Sequence, residues 1–407
     1  MNNTNIKQAL ADIRAGKMII ITDNADRENE GDLYIPAEKV TENHITFMAT
    51  HGRGLICMPI TKARAQELAI PLMVSPSENT SAHTTKFTIS IDAKLGTTTG
   101  ISAADRAVTI RQVLSKNAKP EDFTKPGHIF PLIADNLGVV KRPGHTESAV
   151  DLARIAGLYP AGVICEIMND DGTMSSGQEL KEFAQKHHLK IISIADLIAY
   201  RMKTECFIEN VVESRLPTEY GEFRLIAFKN NVNNTDELAL VKGDIKNKKD
   251  IVVRVHSECI TSEVFGSLRC DCDEQLHTAM SIIGKTTGII IYLRQEGRGI
   301  GLINKLHAYN LQDKGHDTVT ANKELGLPED ARDYSIAAQI LKYFNVKSIK
   351  LLTNNPDKIC QLEHYGITIN EKVPLQIMPT IHNIDYLKTK RTKMGHTFDV
   401  DEKLIFL

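Results

Sequence analysis

Three of the chain's seven cysteines, Cys259, Cys270 and Cys272, fall within the one stretch Arg254-Val-His-Ser-Glu-Cys-Ile-Thr-Ser-Glu-Val-Phe-Gly-Ser-Leu-Arg-Cys-Asp-Cys-Asp-Glu-Gln-Leu-His277. Thiolate ligation of zinc gives such a cluster a cause, and convergence on one ion dictates how the backbone around it must fold. Structural zinc sites usually show four protein ligands, often as two C-x-x-C pairs. Three thiolates with no further cysteine in reach fit an open catalytic centre whose last position is left to water. His256 and His277 flank the cluster and either could complete it, so spacing leaves both kinds of site open. Incidental buried thiols and redox chemistry are the alternatives to zinc. The odd cysteine count and irregular spacing are unlike a disulfide framework and predict a reducing, cytoplasmic setting.

At 407 residues the chain exceeds one ordinary core, and two domains are expected. The polar stretch Arg201 to Glu222 holds the best break, giving domains 1–202 and 203–407. A formal net charge of −2 favours neither nucleic acid nor an anionic membrane surface, so any phosphate must be held by local basic groups. No apolar run approaches the roughly 18–20 residues of a membrane span. Met1-Asn-Asn-Thr-Asn5 lacks the basic start and apolar run of a signal peptide.

In the first half, Ile6, Ala9, Leu10 and Ile13 recur at helical spacing before Gly16, and Met18 to Ile21 reads as a buried strand. The strand leads into Asp23-Asn-Ala-Asp-Arg-Glu-Asn-Glu-Gly-Asp32, a run of carboxylates around one arginine. A solvated acidic loop would look the same, but clustered carboxylates are also the usual way to hold Mg2+. If extended, the run places Glu28 and Glu30 on one face. Lys86 to Asp92 alternates like a strand. Ser102 and Asp105 predict a capping box for a helix through Val113, whose N-terminus, with the threonines before it, could also hold a phosphate. Pro126-Gly-His128 and Arg142-Pro-Gly-His-Thr-Glu147 read as two turns, each presenting an imidazole, and with the acidic run they suggest one pocket. Glu147 opens a helix to Ala156. Val163 to Met168 reads as a buried strand carrying one acid, Glu166, which must be paired or titrate abnormally and is therefore a candidate general acid/base.

In the second half, Phe207 to Val212 is strand-like. The apolar strand Gly288 to Leu293 runs into Arg294-Gln-Glu-Gly-Arg-Gly-Ile-Gly301 and then a helix, the arrangement by which α/β proteins bind phosphate. The turn matches neither the P-loop nor the dinucleotide fingerprint. Ile349 to Leu352 repeats the arrangement, ending in Thr353-Asn-Asn-Pro-Asp-Lys358, and Pro356 starts a helix. Two buried strands with polar, basic exits predict one ligand crevice at their carboxyl ends. Asp330 and Arg332 form a charged pair near a helix start, and Tyr334 to Phe344 is an amphipathic helix. The basic segment from Met378 to Leu407 ends in a strand-like Leu404-Ile-Phe-Leu407 and carries no functional expectation.

Together these motifs resemble a known pair of enzyme families. Asp26-Arg-Glu-Asn-Glu-Gly-Asp-Leu33, Gly52-Arg-Gly-Leu-Ile-Cys57, Thr97-Thr-Thr-Gly-Ile-Ser-Ala-Ala-Asp-Arg106 and Gly144-His-Thr-Glu147 resemble 3,4-dihydroxy-2-butanone 4-phosphate synthase. The cysteine window, Arg294 to Leu302, Arg332-Asp-Tyr334 and Leu351-Leu-Thr-Asn-Asn-Pro356 resemble GTP cyclohydrolase II. Joined in this order, the chain is similar over nearly its whole length to bifunctional riboflavin-biosynthesis proteins. The resemblance implies an α+β N-terminal domain followed by an α/β zinc-containing C-terminal domain, with a homodimer as the assembly.

For the first domain, the resemblance implies loss of C4 of D-ribulose 5-phosphate as formate. Glu28 and His145 would hold Mg2+ or Mn2+, and Arg27, Glu28, Asp32, Arg142, Pro143, Gly144, His145, Thr146 and Glu166 would contact substrate. His128 and Glu166 are the implied catalytic pair. For the second, it implies zinc on Cys259, Cys270 and Cys272 to activate the water that opens the guanine ring. Arg254, Val255, His256, Ser257, Glu258, Gln275, Glu296, Gly297, Arg298, Thr318, Thr353 and Lys358 would bind GTP, with Mg2+ on its phosphates. Asp330 is implied as proton acceptor and Arg332 as nucleophile toward the α-phosphate, although a guanidinium suits an electrostatic clamp better. The chain departs from the family at Asp273, where glycine is usual, at Ser262-Glu263, where Gly-Asp is usual, and at Pro143. A zinc-stabilised binding module fused to an enzyme is the rival reading.

Overall fold

The computed structural model describes residues 6–24, 27–375 and 377–395. The chain forms two compact units, Met1–Arg201 and Met202–Leu407. The expected terminal strand Leu404–Leu407, the N-terminal Met1–Asn5, and Ala25 and Asp26 of the acidic run lie outside the described residues.

Among the described residues, the first unit holds strands β1 (Ile19–Thr22), β2 (Gly31–Pro36), β3 (Cys57–Thr61), β4 (Ile91–Ala93), β5 (Phe123–Ala134), β6 (Gly162–Glu166) and β7 (Lys190–Ser193). They form one mixed sheet in the order β4-β5-β3-β6-β2-β1-β7, with β3/β5 and β1/β7 parallel and the other neighbours antiparallel. The sheet is buried on both faces, because successive side chains of a strand point opposite ways. Ile20, Leu33, Ile35, Met58, Val163 and Cys165 join one apolar cluster. Their neighbours Ile19, Ile21, Tyr34, Cys57 and Ile164 join another. The second cluster includes Ile6, Ala9, Leu10 and Ile13 of the helix Ile6–Arg14 and Ala149 and Leu152 of the helix His145–Ile155. By the same alternation, Asp32 and Glu166, directly paired across β2 and β6, share the face of Tyr34, Ile164 and the His145 helix.

Among the described residues, the second unit holds β8 (Ile208–Thr218), β9 (Gly221–Asn230), β10 (Thr235–Lys242), β11 (Ile251–Ser257), β12 (Gly288–Leu293), β13 (Ile349–Leu352) and β14 (Ile369–Val373). Their order is β14-β13-β11-β12-β10-β9-β8. The β14-β13-β11-β12 half is parallel and the rest antiparallel. The carboxyl ends of β11, β12 and β13 lie side by side, where a parallel sheet opens a ligand crevice. Behind them, Phe223, Ala279, Ile283, Ile290 and Leu352 form an apolar cluster.

Several sequence expectations need correction. Lys86–Asp92 is not a continuous strand: Phe87 and Thr88 make only isolated bridges, and β4 begins at Ile91. Pro131 accepts from the Thr88 amide but has no N–H to return the bond, so the ladder cannot close there. The polar stretch after Arg201 is mostly the long edge strand β8, exposed along most of its length, so its polarity reflects an edge. Residues 126–128 run within β5, so His128 sits on a strand. The helix expected from Glu147 starts at His145, with Gly144 as N-cap. Ser102 caps its helix by accepting from the Asp105 amide, but the Asp105 carboxylate turns back to Thr98 and Gly100 instead of closing a box.

Candidate active sites

In the first unit, the acidic run is folded around Asp23. One Asp23 carboxylate oxygen accepts from the Glu28 amide at 3.0 Å and from Arg27 Nη1 at 2.8 Å, and the other from the Glu30 amide at 2.9 Å. Asn29 is left-handed (φ 57°), so the run is a turn and not the extended segment that alternation assumed. Glu28 and Glu30 nevertheless line one cavity, with Arg27, Asp32, Cys57, Thr85, Arg142, His145, Thr146 and Glu166.

Ligand atoms of Asp23, Glu28 and His145 all lie within 4.8 Å of one another. His145 Nδ1 is 3.6 Å from Glu28 Oε2 and its Nε2 is 3.9 Å from Asp32 Oδ1. The latter two atoms are buried without a hydrogen-bond partner. Interaction with His145 outweighs burial and lowers the Glu28 carboxyl to about 2. Burial pushes Asp32 up to about 7. Burial alone would lower His145, but Asp32 and Glu28 outweigh it and hold the imidazole up at about 9. Carboxylates and an imidazole packed this closely, with orphaned polar atoms, fit a divalent cation bound through oxygen and nitrogen.

Arg142 donates to Glu147 at 2.6 Å, to Thr85 Oγ1 at 2.9 Å and to the His83 carbonyl at 3.0 Å, which holds it over the start of the His145 helix. Gly144 keeps this place open: a Cβ there would lie 2.5 Å from Arg142 Nη1 and 3.3 Å from Arg27 Nη2. Two guanidinium groups beside a helix N-terminus have the chemistry to hold a phosphate. Pro143 supplies none of the cavity-lining side chains. Glu166 Oε2 accepts from the Leu55 amide at 2.7 Å.

The other expected imidazole is elsewhere. His128 Nδ1 meets Asp92 Oδ2 at 2.7 Å, and its amide donates to Asp92 Oδ1 at 2.9 Å. Phe130 and Ile164 both pair with Cys57, so His128 stands two strands from Glu166 at the same end of the sheet, outside the cavity lining. The two Gly-His segments therefore do not form one pocket within the chain.

In the second unit, the Sγ atoms of Cys259, Cys270 and Cys272 lie within 4.8 Å of one another, with Cys259 and Cys270 at 3.7 Å. Tetrahedral zinc with bonds of about 2.3 Å places its sulfurs roughly 3.8 Å apart, so the triad fits that ion. Neither flanking histidine joins it: His256 Nε2 contacts Glu263 at 2.8 Å, and His277 lies beside Asp273 and stacks with Tyr220. The family departures Ser262 and Glu263 brace the site. Ser262 Oγ accepts from the Asp273 amide, while Glu263 accepts from the Cys259 amide and the Tyr292 hydroxyl.

The triad opens into a crevice with two lobes. One is lined by Glu258, Cys259, Cys270, Glu296, Gly297, Arg298, Lys305, Tyr309 and Thr318, and the other by Arg254, His256, Gln275, Thr353, Asn355, Lys358 and Lys390. Ser257, Cys272, Arg332 and Tyr386 belong to both. Val255 instead points into the core, and its carbonyl accepts from Lys358 Nζ at 2.7 Å. Buried Arg254 Nε and both terminal nitrogens of Arg298 have no hydrogen-bond partner, so donors are left over for an anionic ligand. Arg332 pairs with Asp330 through Nε at 2.8 Å and through Nη2. Burial alone would weaken its charge, but Tyr334 and Asp330 outweigh it and hold the guanidinium protonated.

Sequence reasoning missed several participants. Lys305 Nζ donates to Cys259 Sγ at 3.1 Å and to Glu296 Oε1 at 2.8 Å. Its place one helical turn after Gly301, on the helix following the glycine-rich turn, was an available signal. Asp23 was visible in the acidic run, whereas Tyr386 and Lys390 carried no local signal.

Comparison with known proteins agrees with this division. The family model for 3,4-dihydroxy-2-butanone 4-phosphate synthase matches residues 7–200, and that for GTP cyclohydrolase II matches residues 209–374. The chain is 53% identical over 393 residues to a riboflavin biosynthesis protein RibBA of Endomicrobium trichonymphae, covering 96% of this chain and 97% of the relative. It is 53% identical over 397 residues to the RibBA protein of Aquifex aeolicus, covering 97% of each. Among solved structures, RibBX, a two-domain 3,4-dihydroxy-2-butanone 4-phosphate synthase from A. baumannii, matches with a TM-score of 0.70 and 37% identity over 92% of this chain and 100% of its own.

Proposed function

The chain belongs to the RibBA family of bifunctional riboflavin biosynthesis proteins, a 3,4-dihydroxy-2-butanone 4-phosphate synthase domain followed by a GTP cyclohydrolase II domain, and from that premise we propose how its residues divide the two reactions. Residues 1–202 convert D-ribulose 5-phosphate to 3,4-dihydroxy-2-butanone 4-phosphate and formate. Residues 203–407 convert GTP to 2,5-diamino-6-(5-phosphoribosylamino)pyrimidin-4(3H)-one, formate and pyrophosphate. The observation that carries this reading is one metal-competent cluster per unit among the described residues, each opening into a cavity lined by arginines.

In the first domain, Glu28 and His145, with Asp23 beside them, would hold Mg2+ or Mn2+, which supplies Lewis acidity for enolisation. Arg27, Arg142 and Thr146 bind the sugar phosphate, Pro143 and Gly144 shape the turn between them, and Asp32 orients the sugar hydroxyls. Glu166 moves protons at the sugar carbons, supported by its place in the cavity and its anchorage on the Leu55 amide. His128 is kept as the second acid/base on the family resemblance alone: Asp92 orients its ring, and it lies outside the cavity that holds Glu166.

In the second domain, Cys259, Cys270 and Cys272 would hold Zn2+, which supplies Lewis acidity for hydrolytic ring opening. Arg254, His256, Ser257, Glu258, Gln275, Glu296, Gly297, Arg298, Thr318, Thr353 and Lys358 bind GTP, with Mg2+ on its phosphates. Val255 contributes through its carbonyl contact with Lys358. Asp330 accepts a proton, and Arg332 clamps the α-phosphate, a role supported by its charged pairing with Asp330. We extend the reading to a cytoplasmic homodimer, testable by sedimentation of the purified chain. The catalytic assignment is tested by formate release, with ribulose 5-phosphate alone and with GTP alone. Formate from both bears it out, and formate from only one removes the assignment for the silent half.

A further inference from the structure

The helix Ile384–Met394 follows the stretch that the GTP cyclohydrolase II family model covers, yet it supplies two side chains to the crevice. Tyr386 is one of four residues lining both lobes, with Ser257, Cys272 and Arg332. A ligand reaching from the thiolates to Thr353 and Lys358 must pass it. Arg298 lies 5.7 Å and Lys390 4.3 Å from the centre of its ring, so cations already face its π-system. Both terminal nitrogens of Arg298 are buried without a partner.

The helix is also pinned to the zinc-ligand turn. Lys390 Nζ meets Asp271 Oδ1 at 2.8 Å, both side chains nearly inaccessible, and Asp271 stands between Cys270 and Cys272. The other Asp271 oxygen accepts from Gln275 Nε2 at 2.5 Å, and Gln275 Oε1 accepts from Arg254 Nη2 at 2.6 Å. A second anchor, Lys393 Nζ to Asp317 Oδ2 at 2.6 Å, reaches the N-cap of Thr318–Glu324, a helix whose Thr318 lines the first lobe.

We propose that this helix is a wall of the GTP site, in which Tyr386 contacts the bound nucleotide and Lys390 is a positioning residue acting through Asp271 on the Cys270–Cys272 turn. The proposal rests on the reading of the crevice as the GTP site. Lys390 offsets a buried carboxylate set between two thiolates; without it, that turn carries uncompensated negative charge. The Tyr386 ring gives the nucleotide an apolar, polarisable face between two cationic groups.

The test uses the full-length chain, with formate release from ribulose 5-phosphate as an internal control for folding of the other domain. Steady-state kinetics with GTP and zinc content are measured for wild type, Tyr386→Leu, Tyr386→Phe, Lys390→Met and Lys390→Arg. Tyr386→Leu is expected to raise KM for GTP about tenfold or more at wild-type zinc content, with Tyr386→Phe within about threefold of wild type. Lys390→Met is expected to lose zinc to a weaker chelator concentration than wild type and to lower kcat, and Lys390→Arg to restore both. Wild-type KM in Tyr386→Leu would overturn the contact, as would zinc loss in both Tyr386 variants, which would assign the ring to structure alone. Unchanged zinc retention and kcat in Lys390→Met would overturn the positioning role. A wild-type chain that releases no formate from GTP would instead sink the underlying reading, and the proposal with it.

Discussion

Gly54 and Glu166 are fitted to each other: a Cβ on Gly54 would lie 2.4 Å from Glu166 Oε2 and 2.6 Å from the Glu166 carbonyl oxygen. The backbone must give way or the carboxylate must leave the cavity. Gly54→Ala is therefore expected to cut formate release from ribulose 5-phosphate by about 100-fold or more, the scale of a lost acid/base group. GTP turnover by the same molecule should be untouched. Equal activity of the variant on ribulose 5-phosphate would mean that Glu166 needs no fixed place.

Asp273 tests the family departure nearest the thiolates. Its amide donates to Ser262 Oγ, and its carboxylate lies 3.5 Å from Nδ1 of exposed His277. Asp273→Gly should keep its zinc and change kcat by less than about tenfold, under ~1.4 kcal/mol. Metal analysis beside kinetics checks both parts, and loss of zinc would refute the expectation.

Zinc removal separates a catalytic ion from a structural one. The thiolates sit at the rim of the sheet, while the apolar cluster of Phe223, Ala279, Ile283, Ile290 and Leu352 packs without them. Chelation should abolish formate release from GTP and leave the domain folded, as read by circular dichroism and thermal melting. Cooperative unfolding on chelation at 25 °C would favour a zinc-stabilised module instead.

A buried ion pair braces the first unit. Arg201 Nη1 meets Asp151 Oδ2 at 2.7 Å with both side chains about 95% buried, and Asp151 also accepts from the Val139 amide. Arg201→Met removes the buried cation and leaves the carboxylate only the Val139 amide and half-exposed Arg154 at 3.5 Å, which should cost about 3 kcal/mol of stability. Adding Asp151→Leu should recover part of that loss, because it removes the buried charge while leaving the Val139 amide without its acceptor. Denaturant melts of the three proteins decide it.

Much of this was legible in sequence because single residues carried it. The three cysteines in one window, the carboxylates around Arg27 and the glycine-rich exit of β12 each line a cavity in the structure. What stayed hidden depends on distance along the chain. Lys390 reaches Asp271 across 119 positions, and Asp92 meets His128 across 36, contacts that no local pattern encodes. The expected strand at Lys86–Asp92 failed on its partner, since alternation was present but Pro131 could not return a hydrogen bond. The expected shared pocket of His128 and His145 failed because strand order set β3 between the strands of His128 and Glu166.

The alternation along β2 also bears on how this chain tolerates change. Leu33 and Ile35 belong to one core, Tyr34 to the other, and Asp32 to the face of the cavity. Deleting one residue within the strand would exchange these faces, driving a carboxylate toward packed aliphatic groups and withdrawing it from the cavity in the same step. A one-residue deletion from Gly31 to Pro36 should therefore abolish formate release from ribulose 5-phosphate outright, with no graded loss.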